Sequence, residues 1–511
     1  MLVTDNLRTH VPAFNKQEWK IMLAIFIGVF IILFSGRATQ VYDSQFLFLL
    51  SYTIYHDKSL NLRPYLDHPT LRPSVEKLMP ASVLEKKVKG KVEWRYHYPN
   101  INAILSIPYV YLMDKLGYRI VAGDPLRWWL NNETYLQKIY CAFLISIYSL
   151  FLYRLARLWM IPRLAIFTII ILVFGSSLSS VLSRALWTDT YANLFLIIAI
   201  YHLAGAYKNK IDYQLKILVP LIALSILCKP TYAIAMVMIV GWAFLLNRKK
   251  TVYMLFGASL LLIIGLLYNH LVFGNVLGNY HFGGFDGFDL SRTAGLLVSP
   301  ARGMLIYWPW TILIIGLIYF VYRHLSFNER LIIYLCLIPL VMTVLMLSCF
   351  WFWHGGPGYG PRLLIPAMPG LFLIFIIVVS KYFNPIIEHS SQNQLRQINN
   401  QHQLKSIQLS KKNQTLIISS SILCIWAVMI NMFGTNQNKA HDQWYRLPLN
   451  GKTFNDRMWD WSDPPFLAGY IKPERYFKYT LELDSVPSST YGLPSTTDDV
   501  HKLIRKNLEK K

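Results

Sequence analysis

The stretch GRATQVYDSQFLFLLSYTIYHDKSL (36–60) leaves the first long apolar run of the chain and opens a polar, basic segment that continues to KGKVEWRYHYPN (89–100). Phe46, Leu49, Leu50, Thr53 and Ile54 recur at helical spacing, so the segment predicts an amphipathic helix lying on a membrane surface. Asp43 stands at its head. A carboxylate there has two readings, a general base facing the headgroup layer or a cap on the helix. The architecture depends on whether this stretch stays on one side of a bilayer.

The composition sets the bilayer. Of 511 residues, 54% are hydrophobic and 15% charged, and mean hydropathy is +0.35. Soluble domains carry about a quarter charged residues, so the deficit points to a membrane protein. The formal charge of +23 is typical of basic nucleic-acid binders, but long apolar runs are not, and nucleic acid is excluded as a partner. All five cysteines lie in or beside apolar segments without metal-ligand spacing, which leaves the polar loops without a disulfide framework. The run after Lys20 ends in LFSGRAT and is followed by many others, as expected of a retained signal anchor.

Apolar runs suited to crossing start near Ile21, Ile139, Leu164, Tyr191, Leu215, Tyr232, Val252, Met304, Leu331, Leu363 and Leu416, about eleven spans. INAILSIPYVYLM (101–113) is too short and contains a Pro, which suits an interfacial helix. If it does not cross, Arg154, Arg157, Arg163, Lys208, Lys210, Arg248, Lys249, Lys250, Arg323, Arg330 and the 381–412 cations share the side of Lys16 and Lys20. That is the positive-inside distribution, with the N-terminus cytoplasmic. The expectation is thus an all-α polytopic membrane protein. A membrane module would span residues 1–433, with a first external loop at 36–138, a polar cytoplasmic linker at 381–415 and an external tail at 434–511. The first loop holds ten Lys/Arg against six Asp/Glu between Arg37 and Asn100. Long loops escape the positive-inside rule, and KKVKGK (86–91) reads as a solvated face.

The external side then gathers the first loop, SRALWTDTY (183–191), the hairpin CKPTY (228–232), the 273–302 loop and WFWHGGPGYGPR (351–362). Lys229 sits between two apolar runs, where a charge is expensive; phosphate binding competes with snorkelling to the interface. Arg362 follows a glycine-rich run whose backbone N–H groups are expected to approach an anion beside its guanidinium fork; the other reading is a flexible turn with a basic flank. Asp189 begins a helix as a cap or a functional acid. Arg302 and Arg292 would bind phosphate or anchor at the interface. His97, a candidate substrate-binding residue, and His68, His281 and His354 lie on the external side without metal-ligand spacing, so the histidines support a metal site only weakly. Asp286 and Asp289 (FDGFD) would hold a divalent cation or make a turn. No P-loop, dinucleotide fingerprint or serine nucleophile elbow is present.

In their order and shared side, VYDSQ, LCKPTY, LLVSPARGMLIYWPW and WHGGPGYGPRLLI resemble the GT-C superfamily, in its branch of protein O-mannosyltransferases and lipid A aminoarabinose transferases. The resemblance covers about the first 380 residues together with MWDWSDPPFLAG (458–469) in the tail. It implies a bacterial inner-membrane glycosyltransferase using a polyprenyl-phosphate sugar, with inversion at the anomeric carbon and an acceptor (protein, lipid or polysaccharide) on the outer face. Asp43 would be the acidic catalytic residue, and Lys229 the lysine that binds lipid phosphate. Surface helices would lie at Asp43–Tyr55 and Asn100–Gly117. Two alternatives remain from the residues alone: a ligase or polymerase of lipid-linked glycans, and a transporter or flippase. Transporters place ionisable groups near mid-span, whereas here the polar residues crowd one face. His202 and Asn193 are the main polar groups within a span.

Overall fold

A computed structural model describes residues 16–39, 41, 43–67, 82–88, 90–123, 127–276, 284–356, 358–399, 411–436, 444, 454–468 and 470–471. His68, His281, residues 400–410 of the linker and the tail beyond 471 lie outside the described residues. The chain is an all-α polytopic integral membrane protein. Seven stretches are long and apolar enough to cross a bilayer, at Lys16–Ser35, Leu130–Arg157, Thr188–Asn209, Arg248–Phe273, Phe327–Ser348, Arg362–Pro385 and Gln414–Thr435. Shorter apolar helices occupy Pro162–Phe174, Leu215–Cys228, Tyr232–Leu246 and Trp310–His324. The Met304 run is divided, because Pro309 interrupts it after the single turn Met304–Tyr307.

In chain order the helices are α1 (Lys16–Ser35), α2 (Leu47–His56), α3 (Arg63–Leu66), α4 (Ile101–Lys115), α5 (Leu130–Arg157), α6 (Pro162–Phe174), α7 (Thr188–Asn209), α8 (Leu215–Cys228), α9 (Tyr232–Leu246), α10 (Arg248–Phe273), α11 (Leu290–Val298), α12 (Met304–Tyr307), α13 (Trp310–Val321), α14 (Phe327–Ser348), α15 (Met368–Asn399), α16 (Lys411–Thr435) and α17 (Phe454–Met458). The Arg362–Pro385 stretch, a 3-10 turn leading into α15, forms the centre, with 94% of its apolar window buried; α10 is peripheral, at 17%. Helices that are hydrophobic all round and yet exposed are suited to face lipid. Local chemistry sets the boundaries. Ser326 and Glu329 form a capping box on α14, the Asn247 side chain accepts from Lys250 N to start α10, and Gly274 at φ 78 ends α10 in the left-handed region.

The bundle has two chemically different ends. At one, Arg157 Nε meets Glu18 Oε1 at 2.9 Å, Lys250 meets Asp212 at 2.9 Å, and Lys381 meets Glu329 at 3.0 Å. At the other, Arg37 N donates to Thr435 O, Thr39 N to Arg184 O, and the Asn102 amide to Cys228 O. Helix α1 runs antiparallel to α5, since Phe26 packs on Phe143 and Phe34 on Tyr135. Residues 36–129 therefore leave and rejoin the bundle at the same end, and α4, with Pro108 inside it, packs on α2 instead of crossing.

Two features of this segment differ from the sequence expectation. Helix α2 is not a surface helix. Leu47 through Thr53 are all buried, because FLFLLSY is apolar around its whole circumference and α4 and α5 cover it. KKVKGK keeps Lys87 and Lys91 exposed, as a solvated face would, but takes a defined shape within a chain expected to be all-α. It closes an antiparallel hairpin of β1 (Val83–Val88) and β2 (Lys91–Tyr96), in which Val88 pairs with Lys91 and Gly90 takes φ 79 in the turn. A second, two-residue pairing joins β3 (Val121–Ala122) to β4 (Arg127–Trp128).

Candidate functional site

The turn that carries Asp43 is held from several directions. Phe46 adopts a left-handed φ of 67 and occupies the N-cap of α2 without a side-chain cap bond. Asp43 thus does not cap the helix. Its carboxylate turns inward instead, and Oδ2 accepts from Arg362 Nη2 at 2.9 Å with Asp43 only 6% exposed. The hydroxyl of Tyr96, at the end of β2, donates to the Asp43 carbonyl oxygen. This contact fastens the hairpin to the same turn.

Arg362 is clamped as well. Its Nη1 donates to Gly355 O at 3.2 Å, and its guanidinium lies 3.7 Å from the centroid of the Trp187 ring, a stacked cation–π arrangement. Buried Nε has no hydrogen-bond partner. Two of the five guanidinium N–H groups are engaged by Gly355 and Asp43, so the cation keeps donor capacity that suits an anion.

The glycine-rich loop does not use its N–H groups as the sequence reading expected. Gly355 N donates to Phe352 O, Gly356 N to His354 Nδ1 and Gly358 N to Gly356 O. Its carbonyls are what face the cations. Gly355 O receives Arg362, and Gly356 O receives Arg302, which also donates from Nε to His354 O at 2.5 Å and from Nη1 to Ala301 O at 2.9 Å. Arg302 is buried at 2% exposure, and these bonds make it a brace for the loop behind Arg362. Positive φ at Gly355, Gly356 and Gly360 lets the chain double back so tightly; at Gly360 a Cβ would lie 2.9 Å from the Tyr307 ring. Burial pushes the His354 imidazole down to about 3, and the nearby Arg302 charge acts in the same direction, so the ring accepts from Gly356 as the neutral species.

A second ion pair adjoins the first. Lys229 Nζ lies 2.5 Å from Asp189 Oδ2, with Lys229 5% exposed and Asp189 wholly buried. Lys229 is thus neither snorkelling nor solvated. Asp189 is not the cap of α7, whose N-cap is Trp187. The pairs are joined through Trp187, which stacks on Arg362 two positions before Asp189 in LWTDTY, and through Asn193, whose amide donates to Ile365 O. Asp189 Oδ1 is buried without a partner.

The remaining candidates fall around this centre. His97 follows Tyr96, donates its backbone N–H to Ser82 O and packs edge-on against Tyr98. Asp286 and Asp289 are both engaged by Arg292, and Asp289 caps α11 by accepting from Ser291 N at 2.7 Å. Among the described residues no group of three or more His, Cys, Asp or Glu is placed to hold a metal ion. Sequence reading overlooked Trp187, Tyr96, Glu133 and Gln137. The last two stand at i and i+4 in NNETYLQK, a polar pair on one face at the head of an apolar helix, and that spacing was the available signal.

No protein-family model matches the chain. No curated protein matches it. Among solved structures it is similar to the crystal structure of ArnT from Cupriavidus metallidurans bound to undecaprenyl phosphate, at 11% identity and a TM-score of 0.44, over 92% of this chain and 77% of that chain.

Proposed function

We propose that the protein is an integral-membrane glycosyltransferase that moves a sugar from a polyprenyl-phosphate donor to an acceptor hydroxyl on the extracytoplasmic face. In this reading the Lys/Arg-rich end of the bundle, with Lys16 and the Arg154–Arg157 turn, is cytoplasmic, following the positive-inside rule. The end bearing Asp43, Arg362, Asp189 and Lys229 then faces outward from a bacterial inner membrane, and the tail lies on that side.

The observation that carries the reading is a buried pair of a carboxylate and a guanidinium with donor capacity to spare, brought together across 319 residues of sequence. Phosphate is the leaving group that such a cation suits. Negative charge grows on its oxygens as the anomeric C–O bond breaks, and Arg362, with Lys229 alongside, stabilises it. Asp43 takes the proton from the acceptor hydroxyl while that oxygen bonds to the anomeric carbon. The products are a new glycosidic bond and polyprenyl phosphate. A single displacement of this kind inverts the anomeric centre. Arg362 orients Asp43 before the donor arrives, and the donor phosphate then engages the guanidinium.

The test is transfer from synthetic undecaprenyl-phosphate hexoses and pentoses by purified protein, with released undecaprenyl phosphate read by mass spectrometry. Release that requires Asp43 supports the reading. Release that continues unchanged in an inserted, folded Asp43→Asn variant overturns it.

A further inference from the structure

Helix α5 contributes Glu133, Gln137 and Lys138 to the turns that carry Asp43 and Trp187. Glu133 Oε1 accepts from Phe48 N at 2.9 Å. This supplies from another helix the N-terminal cap that α2 lacks from its own residues. Its Oε2 accepts from Trp128 Nε1 at 2.5 Å, and the Trp128 ring packs 4.6 Å from Phe46, the residue forced to positive φ. One turn on, Gln137 Nε2 donates to Glu133 Oε1 at 3.0 Å and to Ser44 O at 2.8 Å, directly after Asp43. Gln137 Oε1 accepts from Leu186 N at 3.4 Å, directly before Trp187, and Lys138 Nζ donates to Ser183 O at 3.2 Å.

The geometry points to Glu133 and Gln137 as positioning residues that set the Asp43 carboxylate against the Arg362 guanidinium. The bonds of the Gln137 side chain reach both the Asp43 turn and the turn that presents Trp187 beneath Arg362. Both residues are fully buried, and each polar atom of Gln137 and Glu133 is used. A wholly buried acidic side chain with no cation bonded to it is costly to retain for packing alone. Here its acceptors go to the backbone and indole groups that shape the Asp43 turn. The two backbone turns cannot shift independently while Gln137 spans them, so the pair keeps one separation through the reaction.

This inference rests on the proposed transferase reading, and the experiment separates the two. Gln137→Leu removes both bridges at similar volume; Glu133→Gln is the milder companion that keeps acceptor capacity at one oxygen. Each is compared with the parent protein in detergent by hydrogen exchange and by donor titration with the synthetic undecaprenyl-phosphate sugars. Expected are faster amide exchange confined to residues 43–50 and 183–190, a kcat at least tenfold lower for Gln137→Leu, a smaller fall for Glu133→Gln, and a donor KM within about twofold of the parent. Unchanged exchange in both segments, or a loss of transfer expressed only in KM, overturns the positioning role. If Asp43→Asn is inactive while folded Gln137→Leu transfers at the parental rate, the positioning role fails and the transferase reading stands. If Gln137→Leu loosens both segments but Asp43→Asn transfers normally, the bridge is real and the reaction is not centred on Asp43, which also overturns the positioning role.

Discussion

Arg362 Nη2 and Asp43 Oδ2 lie 2.9 Å apart across 319 residues of sequence, and the guanidinium that makes the contact is stacked on Trp187 with its Nε vacant. The pair is therefore ordered from three sides before any ligand arrives.

Removing the proposed base while keeping its shape isolates its chemistry. Asp43→Asn is expected to lower transfer by about 10²–10⁴-fold, the usual worth of a positioned general base, with expression and melting temperature near the parent. Turnover of undecaprenyl-phosphate sugars with inserted protein checks it.

Replacing Arg362 by Lys keeps the charge and loses the fork. Lys is unable to stack on Trp187, hold Gly355 O and reach Asp43 at once, so transfer is expected to fall about 100-fold despite conserved charge. Trp187→Leu is expected to fall in the same direction by a smaller factor.

The second ion pair predicts an asymmetry in stability. Lys229→Met leaves the wholly buried Asp189 carboxylate without its cation and is expected to cost about 3–5 kcal/mol. Lys229→Met combined with Asp189→Leu is expected to recover most of that stability, read by thermal unfolding, while undecaprenyl phosphate binding stays weakened.

Gly360→Ala places a Cβ 2.9 Å from the Tyr307 ring at a residue with φ 58. The expected destabilisation is about 1–3 kcal/mol, read as a lower melting temperature.

His354 predicts the sign of an acid effect. Its folded-state value of about 3 lies below the ordinary value near 6.5, so between these the unfolded chain binds a proton that the folded chain does not. Stability rises with pH through that window and is lost as pH falls toward 3, by at most about 1.4 kcal/mol per pH unit. His354→Asn retains an acceptor for Gly356 N and is expected to flatten the acid limb of melting temperature against pH relative to the parent.

The apolar runs were legible as helices because length and hydropathy decide them locally. Asp43, Lys229 and Arg362 stood out because charge beside long apolar segments is rare. Their pairing was not legible, since it depends on which helices adjoin in three dimensions. The glycine loop misled for a related reason: glycine permits positive φ but does not say whether N–H or C=O will face inward, and here Arg302 and Arg362 draw the carbonyls. The helical spacing of Phe46, Leu49, Leu50, Thr53 and Ile54 suggests an amphipathic surface helix because period alone cannot see that α4 covers the opposite side. Glu133 and Gln137 carry no motif in the sequence beyond their spacing; their role depends on α2 lacking a cap of its own, which only the packing of α5 against it reveals.

The most direct measurement is a cryo-EM map of the protein with undecaprenyl phosphate in nanodiscs. Expected is a phosphate oxygen within about 3 Å of the Arg362 guanidinium, at the end of the bundle that holds Asp43 and Lys229. Phosphate density at the opposite end, among Arg154, Arg157 and Lys208, with none at the Arg362 guanidinium, would contradict it.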